Sequence, residues 1–262
     1  MTKKLSLILS IIIPAYNEEE SISKTVIGFN NTLRENRIKH EILIVNDHST
    51  DNTVKVLDTL KKKVKELRYI NNDGAPGFGS AIAEGLSHFK GDYVTIVMAD
   101  FSDDPKDLVR YFEKIKQGYD CVFGSRFISG GKALGYPYPK LILNRLCNNF
   151  VRFVFWIKYN DVTNPFKLYK KETIAGLEPF ISKHFNISVE ISLKAIVRGY
   201  SYTVVPSIWR NRTEGIAKFK IKEVGSRYFL IILYCLIEKI LLKNNCKRPF
   251  LHSSPKHLEK QD

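Results

Sequence analysis

Three times in its N-terminal half the chain runs an apolar stretch of strand length into a polar, turn-forming loop and then into a helix. Ile11-Ile12-Ile13 leads into Pro14-Ala15-Tyr16-Asn17-Glu18-Glu19-Glu20, Glu41 to Val45 leads into Asn46-Asp47-His48-Ser49-Thr50-Asp51, and Val97-Met98-Ala99 leads into Asp100-Phe101-Ser102-Asp103-Asp104-Pro105. Strands that alternate with helices in this way must bury both faces of a sheet, so the pattern predicts an α/β sandwich with a mostly parallel sheet. Strands are expected near residues 7–14, 41–46, 67–71, 93–99 and 121–125, with amphipathic helices near 21–34, 52–65, 79–89 and 105–117. Ligands bind outside the carboxyl ends of the strands in an open parallel sheet, so all three loops should open on one crevice.

The loop at Asp100 carries the most chemistry. Carboxylates gathered at a strand end are costly unless something uses them, and oxygen ligands of this kind suit Mg²⁺ or Mn²⁺, which would bridge the phosphates of a nucleotide. The same residues also read as an ordinary strand-to-helix turn, with Asp103 or Asp104 capping a helix that begins at Pro105. Both readings stand on these residues alone.

Composition narrows the partners. The chain has 262 residues, 44% hydrophobic and 26% charged, enough for one sizeable α/β core. Its four cysteines, Cys121, Cys147, Cys235 and Cys246, show no paired spacing, which argues against a disulfide scaffold or a zinc site and for a reducing compartment. Lys3-Lys4 and the apolar run from Leu5 to Ile13 pass straight into the Pro14 loop without a small-residue cleavage site, so that run reads as the first strand. Residues 1–130 hold 18 basic and 18 acidic side chains, which leaves 23 and 9 of the 41 and 27 for residues 131–262. The whole net charge of +14 therefore belongs to the second half.

That basic half also contains two apolar stretches, Leu141 to Lys158 and Tyr228 to Leu242. Each falls short of the ~20 unbroken apolar residues of a spanning helix, because Arg145, Arg152, Glu238 and Lys239 interrupt them. They read as helices lying in a membrane interface or, equally in pattern, as core helices. A Gly- and Pro-rich loop from Ser129 to Pro139 predicts a mobile lid, and residues 244–262 a polar tail.

The three loops continue into Gly74-Ala75-Pro76-Gly77-Phe78-Gly79, Gly124-Ser125-Arg126-Phe127, Asp161 to Tyr169 and Trp209-Arg210-Asn211-Arg212. The series, which covers about residues 6–222, resembles the family 2 glycosyltransferases and their GT-A nucleotide-sugar-binding fold, most of all the dolichol-phosphate mannose synthase branch. The resemblance implies a catalytic domain over 1–222 with a donor half at 1–130 and an acceptor half at 131–222, followed by an interfacial helix at 223–243. It implies that Pro14, Tyr16, Glu18, Val45, Asp47 and Ala99 hold the donor nucleotide. Asp100 matches the last residue of the Asp-x-Asp metal motif, with Ser102 and Asp103 as helpers. Met98 stands at the first Asp position of that motif and Asn46 where Asp is frequent, two departures from the pattern. Arg126, Lys140 and Asn144 match the acceptor-phosphate cluster, and Arg212 and Lys218 the basic segment over the diphosphate. Asn164 to Tyr169 and Glu190 are expected to shape the sugar pocket.

The activity so implied is inverting transfer of a sugar, mannose first, from a nucleoside-diphosphate sugar to a polyprenyl phosphate. Mg²⁺ or Mn²⁺ is the expected cofactor, the cytoplasmic face of a membrane the expected location, and a small membrane protein a compatible partner. A phosphate acceptor is already anionic and needs placement, not a general base. An alternative within the family is transfer to a saccharide hydroxyl, with Asp103 or Asp104 as base. A non-catalytic nucleic-acid-binding role fits the net charge but not the carboxylates, which repel phosphate unless a metal intervenes.

Overall fold

The structure, a computed structural model, describes residues 7–212 and 221–244, with side chains in the last helix from 225 to 242. Its centre is a seven-stranded sheet in the order β3-β2-β1-β4-β7-β5-β8. The strands are β1 (Leu9–Ala15), β2 (His40–Asn46), β3 (Leu67–Asn71), β4 (Tyr93–Ile96), β5 (Cys121–Ser125), β7 (Lys167–Lys170) and β8 (Tyr202–Pro206). β1 is buried along its whole length, as a parallel strand covered on both faces must be, and it pairs in parallel with β2 on one side and β4 on the other. β7 alone is antiparallel to both of its neighbours, β4 and β5. A second sheet of two strands joins β6 (Lys132–Leu134) to β9 (Ile208–Arg210) in parallel.

The helices α1 (Ile22–Glu35), α2 (Thr53–Lys63), α3 (Phe78–His88) and α4 (Pro105–Ile115) follow the first four strands, within a few residues of the expected positions. Their apolar stripes and the sheet form two cores, one on each face. α4 shows how local chemistry sets an element: Asp104 accepts from the Lys106 amide at 3.0 Å, Pro105 fills the first turn, and Leu108, Tyr111, Phe112 and Ile115 are buried on one face. The turns after β1, β2 and β4 each contain a left-handed residue, Asn17, His48 and Phe101, which folds the chain sharply back over the strand end. Phe101 then lies against α1 where Gly28 leaves no Cβ to collide with it.

Two expectations change. β4 stops at Ile96, so Val97 to Ala99 already belong to the loop that delivers Asp100. The Gly- and Pro-rich stretch at 129–139 is not structureless, because Gly131 and Gly135 flank β6, whose ladder to β9 ties it down. Pro137 then opens α5 (Tyr138–Phe155), which ends at Trp156 in the left-handed conformation.

The remaining helices are α6 (Lys171–Leu177), α7 (Ile187–Val197) and α8 (Ile221–Asn244). Every residue of α7 from Ile187 to Ala195 is buried, and α8 packs on it through Ile231, Ile232 and Cys235. Among the described residues no helix is long and apolar enough to cross a membrane.

Candidate active site

One continuous cleft of about 910 Å³ runs over the carboxyl ends of the strands and on between α5 and α8. Its polar end is built from the strand-end loops. Pro14, Tyr16, Glu18, Asp47, Ala99 and Asp100 all line it, as expected of donor-binding residues. The loops brace one another through Asn17, whose amide donates to Ser49 Oγ at 3.0 Å and whose Oδ1 accepts from the Thr50 amide at 2.7 Å. Asp47 is held by Asn72 Nδ2 at 2.7 Å and by the Gly77 amide at 2.9 Å, so its carboxylate anchors the glycine-bearing loop that precedes α3. Gly77 has φ 154°, and a Cβ there would strike the Lys183 carbonyl, which is why glycine stands at that position.

Asp100 sits at the centre of this end. Its Oδ1 accepts from the Ser102 amide at 3.1 Å, and its Oδ2 accepts from Arg212 Nε and Nη2 at 3.1 and 2.9 Å. Glu18 lies 3.4 Å from the same Nη2. Burial works against the charge of Arg212, but Asp100 and Glu18 outweigh it and raise its pKa. Sequence positions 112 apart thus meet in one ion pair, and the cation expected over the donor diphosphate rests on the carboxylate expected to hold the metal. Lys218 lies outside the described residues.

The residues around Asp100 fit a divalent cation in part. Ser102 Oγ is buried, borders the cleft, and has no hydrogen-bond partner among the described residues, which makes it an oxygen in need of a ligand. Asp103 does not share that role: it is 2% exposed, lies off the cleft, and points Oδ2 at the Met98 amide at 3.3 Å. Burial, with Asp100 nearby, pushes its pKa up to about 7. Among the described residues no three His, Cys, Asp or Glu side chains form a metal-holding group. Asp104, the other acidic candidate, is the cap of α4.

In the middle of the cleft Arg126, Lys140 and Asn144 come together as expected, but Arg126 is committed. Its Nε and Nη2 bond to Asp161 at 2.8 and 2.7 Å, and its amide donates to the same carboxylate at 2.9 Å. Burial opposes the guanidinium charge and Asp161 more than restores it, so the pKa rises. Asn144 Nδ2 donates to Thr163 Oγ1 at 2.7 Å, and the Tyr136 ring packs at a tilt of 47° on Trp209 with centroids 4.9 Å apart. β9 links this region to the Asp100 end, because the Arg210 amide donates to Ser102 O at 2.9 Å and Trp209 bridges Asp103.

The far end is apolar. Leu143, Cys147 and Phe150 of α5 and Tyr228, Phe229 and Ile232 of α8 line it, and Phe185, whose carbonyl accepts from Tyr228 Oη at 3.3 Å, stacks on Phe78 of α3 with centroids 4.4 Å apart. Outside the cleft both helices expose large apolar side chains, among them Phe153 (73%), Trp156 (86%), Leu230 (63%) and Leu241 (57%). The charges that interrupt α8 in sequence are turned inward: Glu238 pairs with Arg198, and Lys239 Nζ donates to the Phe155 carbonyl at 2.7 Å.

Several expected site residues lie elsewhere. Val45 is wholly buried in the core beneath Gly85 and does not border the cleft. Of Asn164 to Tyr169 only Pro165 does, because β7 is a central strand and Phe166, Leu168 and Tyr169 are core. Glu190 is buried in α7, where it accepts from the Ile181 and Ser182 amides at 2.9 and 2.8 Å and pairs with Lys194. Conversely, Asp161, Thr163, Tyr136 and the apolar end of the cleft carried no assigned role in the sequence. The first two lie in a matched motif, whereas the last depends on how two distant helices pack.

The glycosyl transferase family 2 model matches residues 10–177. The chain is 28% identical over 238 residues to a polyprenol monophosphomannose synthase of Mycolicibacterium smegmatis, covering 83% of this chain and 86% of that protein. It is 29% identical over 222 residues to a dolichol-phosphate mannosyltransferase of Pyrococcus furiosus, covering 82% of this chain and 60% of that protein. The chain thus spans less than two thirds of the archaeal relative. Among solved structures, glucosyl-3-phosphoglycerate synthase of Mycobacterium tuberculosis with Mn²⁺, uridine diphosphate and phosphoglyceric acid matches with a TM-score of 0.67 at 15% identity, over 88% of this chain and 78% of that one. That similarity confirms the GT-A α/β architecture, and together with the family match it means that the chain belongs to glycosyl transferase family 2.

Proposed function

We propose that the protein transfers a hexose, mannose first, from a nucleoside-diphosphate sugar to a polyprenyl phosphate at a membrane surface. The observation that carries this reading is the polarity of the cleft. A single groove leads from Asp47 and Asp100, past Arg126 and Lys140, to an apolar trough between two helices whose outer faces are also apolar. A molecule that is sugar nucleotide at one end, phosphate in the middle and hydrocarbon at the other describes the two substrates joined end to end. The names of the mycobacterial and archaeal relatives support the same acceptor and sugar.

The chemistry follows from the acceptor. An oxygen of the acceptor phosphate, already anionic at neutral pH, attacks the anomeric carbon. The bond from that carbon to the diphosphate breaks with inversion, and the electron pair leaves on the nucleoside diphosphate. No proton has to be removed. Lys140 and the Asp161-bound Arg126 orient the acceptor phosphate, and Arg212 is placed to exchange Asp100 for the departing diphosphate. Asp100 and Ser102 would hold Mg²⁺ or Mn²⁺, which supplies charge neutralisation at the donor phosphates. With Met98 in the motif, Asp100 and Ser102 would be the chain's own contribution to holding that cation.

The saccharide-hydroxyl alternative needs a base on the cleft. Asp103 is buried away from it and Asp104 is engaged as a helix cap, which favours the phosphate acceptor. α5 and α8 would seat the protein peripherally on the cytoplasmic face, combining buried apolar side chains with the attraction of the basic half for anionic lipid. Incubating purified protein with a panel of nucleotide sugars and polyprenyl phosphates, and following products by mass spectrometry, tests the reading. Glycolipid formation, with Asp103→Asn and Asp104→Asn retaining turnover, is the expected result. Sugar transfer only to a hydroxyl acceptor, lost with either Asp, would replace it.

A further inference from the structure

Lys167 is a buried cation that the reaction as described does not use. It lies on β7 in the middle of the sheet, is wholly buried, and does not reach the cleft. Desolvation makes such a cation costly, and a methionine would fill the same volume at less expense, so its retention calls for a reason. The three donors of its Nζ all have acceptors: Val162 O at 2.8 Å, Ser188 O at 3.1 Å and Ser192 Oγ at 3.1 Å. Burial pulls its pKa down to about 7, against the pull of Asp161 in the other direction. A tripod of acceptors is the geometry that an ammonium satisfies and an amine cannot.

The position of that tripod matters more than its charge. Val162 stands between Asp161, which holds Arg126 through both oxygens, and Thr163, whose Oγ1 accepts from Asn144 at 2.7 Å and Asn148 at 3.0 Å. The turn 161–163 is therefore gripped from α5 by two asparagines and from β7 by Lys167, which ties the Val162 carbonyl to Ser188 and Ser192 of α7. Every group assigned to the acceptor phosphate, apart from Lys140, hangs on this turn.

We propose that Lys167 is a positioning residue for the acceptor phosphate: it locks the turn 161–163 so that Asp161 and Thr163 present Arg126 and Asn144 in register. The inference rests on the acceptor reading given above. Loss of the tripod frees the Val162 carbonyl and lets the turn shift, and a displacement of about 1 Å at a positioning group can cost up to ~10²-fold in rate. The donor end, anchored on β1, β2 and the Asp100 loop, does not depend on it.

The test is Lys167→Met, with Ser192→Ala as a milder variant that removes one leg of the tripod. Steady-state kinetics with a polyprenyl phosphate, together with calorimetric titration of the nucleoside diphosphate, separate the two ends of the cleft. The expected result for Lys167→Met is an acceptor KM raised about tenfold or more, with nucleotide affinity within about twofold of wild type, and Ser192→Ala shifted the same way by less. A folded Lys167→Met with an unchanged acceptor KM overturns the proposal. So does a nucleotide affinity that falls in step with the acceptor KM, because that marks general loss of packing. Should Lys167→Met not fold, the same two criteria applied to Ser192→Ala decide. Wild-type protein that forms no product with any polyprenyl phosphate overturns the acceptor reading itself, and with it the role of Lys167 in serving that acceptor.

Discussion

The two ends of the cleft are made differently. At the donor end each functional side chain lies within a few residues of a strand terminus: Tyr16 and Glu18 after β1, Asp47 after β2, Asp100 after β4. The parallel sheet brings those termini together whatever else the chain does, so position follows from strand order. At the acceptor end the lining comes from α5, from the turn 161–163, from α7 and from α8, four pieces spread over more than a hundred residues. Nothing but packing assembles them. The first 130 residues balance their charges, whereas residues 131–262, which supply α5 and α8, carry the whole excess of basic side chains. A strand-end site tolerates change in its surroundings, while a site between helices shares the fate of the helices that carry it.

The sharpest way to break this contrast is at Asp100. Asp100→Asn should lower kcat by about 10²-fold or more, as the loss of a preorganised charge does, with the thermal transition preserved because the loop is held by backbone geometry. EDTA should abolish activity of the wild type. Full turnover in chelator would leave Asp100 with only its partner Arg212 and remove the metal from the scheme.

At the acceptor end the corresponding substitution should damage the fold as well. Asp161→Ala leaves the buried Arg126 guanidinium without its partner, which should cost about 3–5 kcal/mol in denaturant unfolding and weaken acceptor use. If stability is unchanged, Arg126 has found another anion or solvent and the buried pair is not structural.

The outer face of α8 should be separable from its inner face. Replacing the exposed Leu230, Ile237 and Leu241 with Ser should remove on the order of 1–2 kcal/mol each from partitioning onto anionic liposomes, without affecting nucleotide binding. Ile231→Ser, on the face buried against α7, should instead lower the melting temperature. Wild-type protein that stays in solution with anionic vesicles at low salt would assign the exposed face to something other than lipid.

The smallest expected effect on activity concerns Asp103. Burial beside Asp100 pushes its pKa up to about 7 from the ordinary carboxyl value of 3.8, so folding takes up protons between those values and stability falls as pH rises from about 4 to 7. Asp103→Asn, which can still accept from the Met98 amide, should match wild type at pH 4 and be the more stable of the two at pH 8. Chemical denaturation at the two pH values checks this. Equal stability of variant and wild type at both would mean that Asp103 is not held protonated by the fold.

How much could be read in advance follows the same division. The strands and helices of the first 125 residues lie within a few residues of the expected positions, since apolar periodicity, Pro105 and Asp104 act locally. Tyr16, Asp47 and Asp100 could be placed on the crevice for that reason, and all three line it. Val45 does not line the cleft because it lies inside β2, packed in the core against Gly85 of α3, two residues short of the strand-end loop that carries Asp47. Asp103 and Glu190 show the limit more plainly. A carboxylate in a sequence looks equally able to bind a ligand or a backbone amide, and both of these bind amides.

The sequence by itself determined a parallel α/β sheet with a carboxylate-bearing crevice at its strand ends, and a basic half containing two apolar segments. Those properties depend on residues adjacent in the chain or on sums over it. Only the tertiary structure decided that the Gly- and Pro-rich stretch contributes a strand, that Arg212 rests on Asp100, and that Glu238 and Lys239 fold inward to leave α8 an apolar outer face. It alone also joined the two apolar segments to the polar crevice in one cleft. Each of these is a contact between distant positions, settled by how buried polar groups find partners once the sheet has formed, and no local pattern encodes that choice.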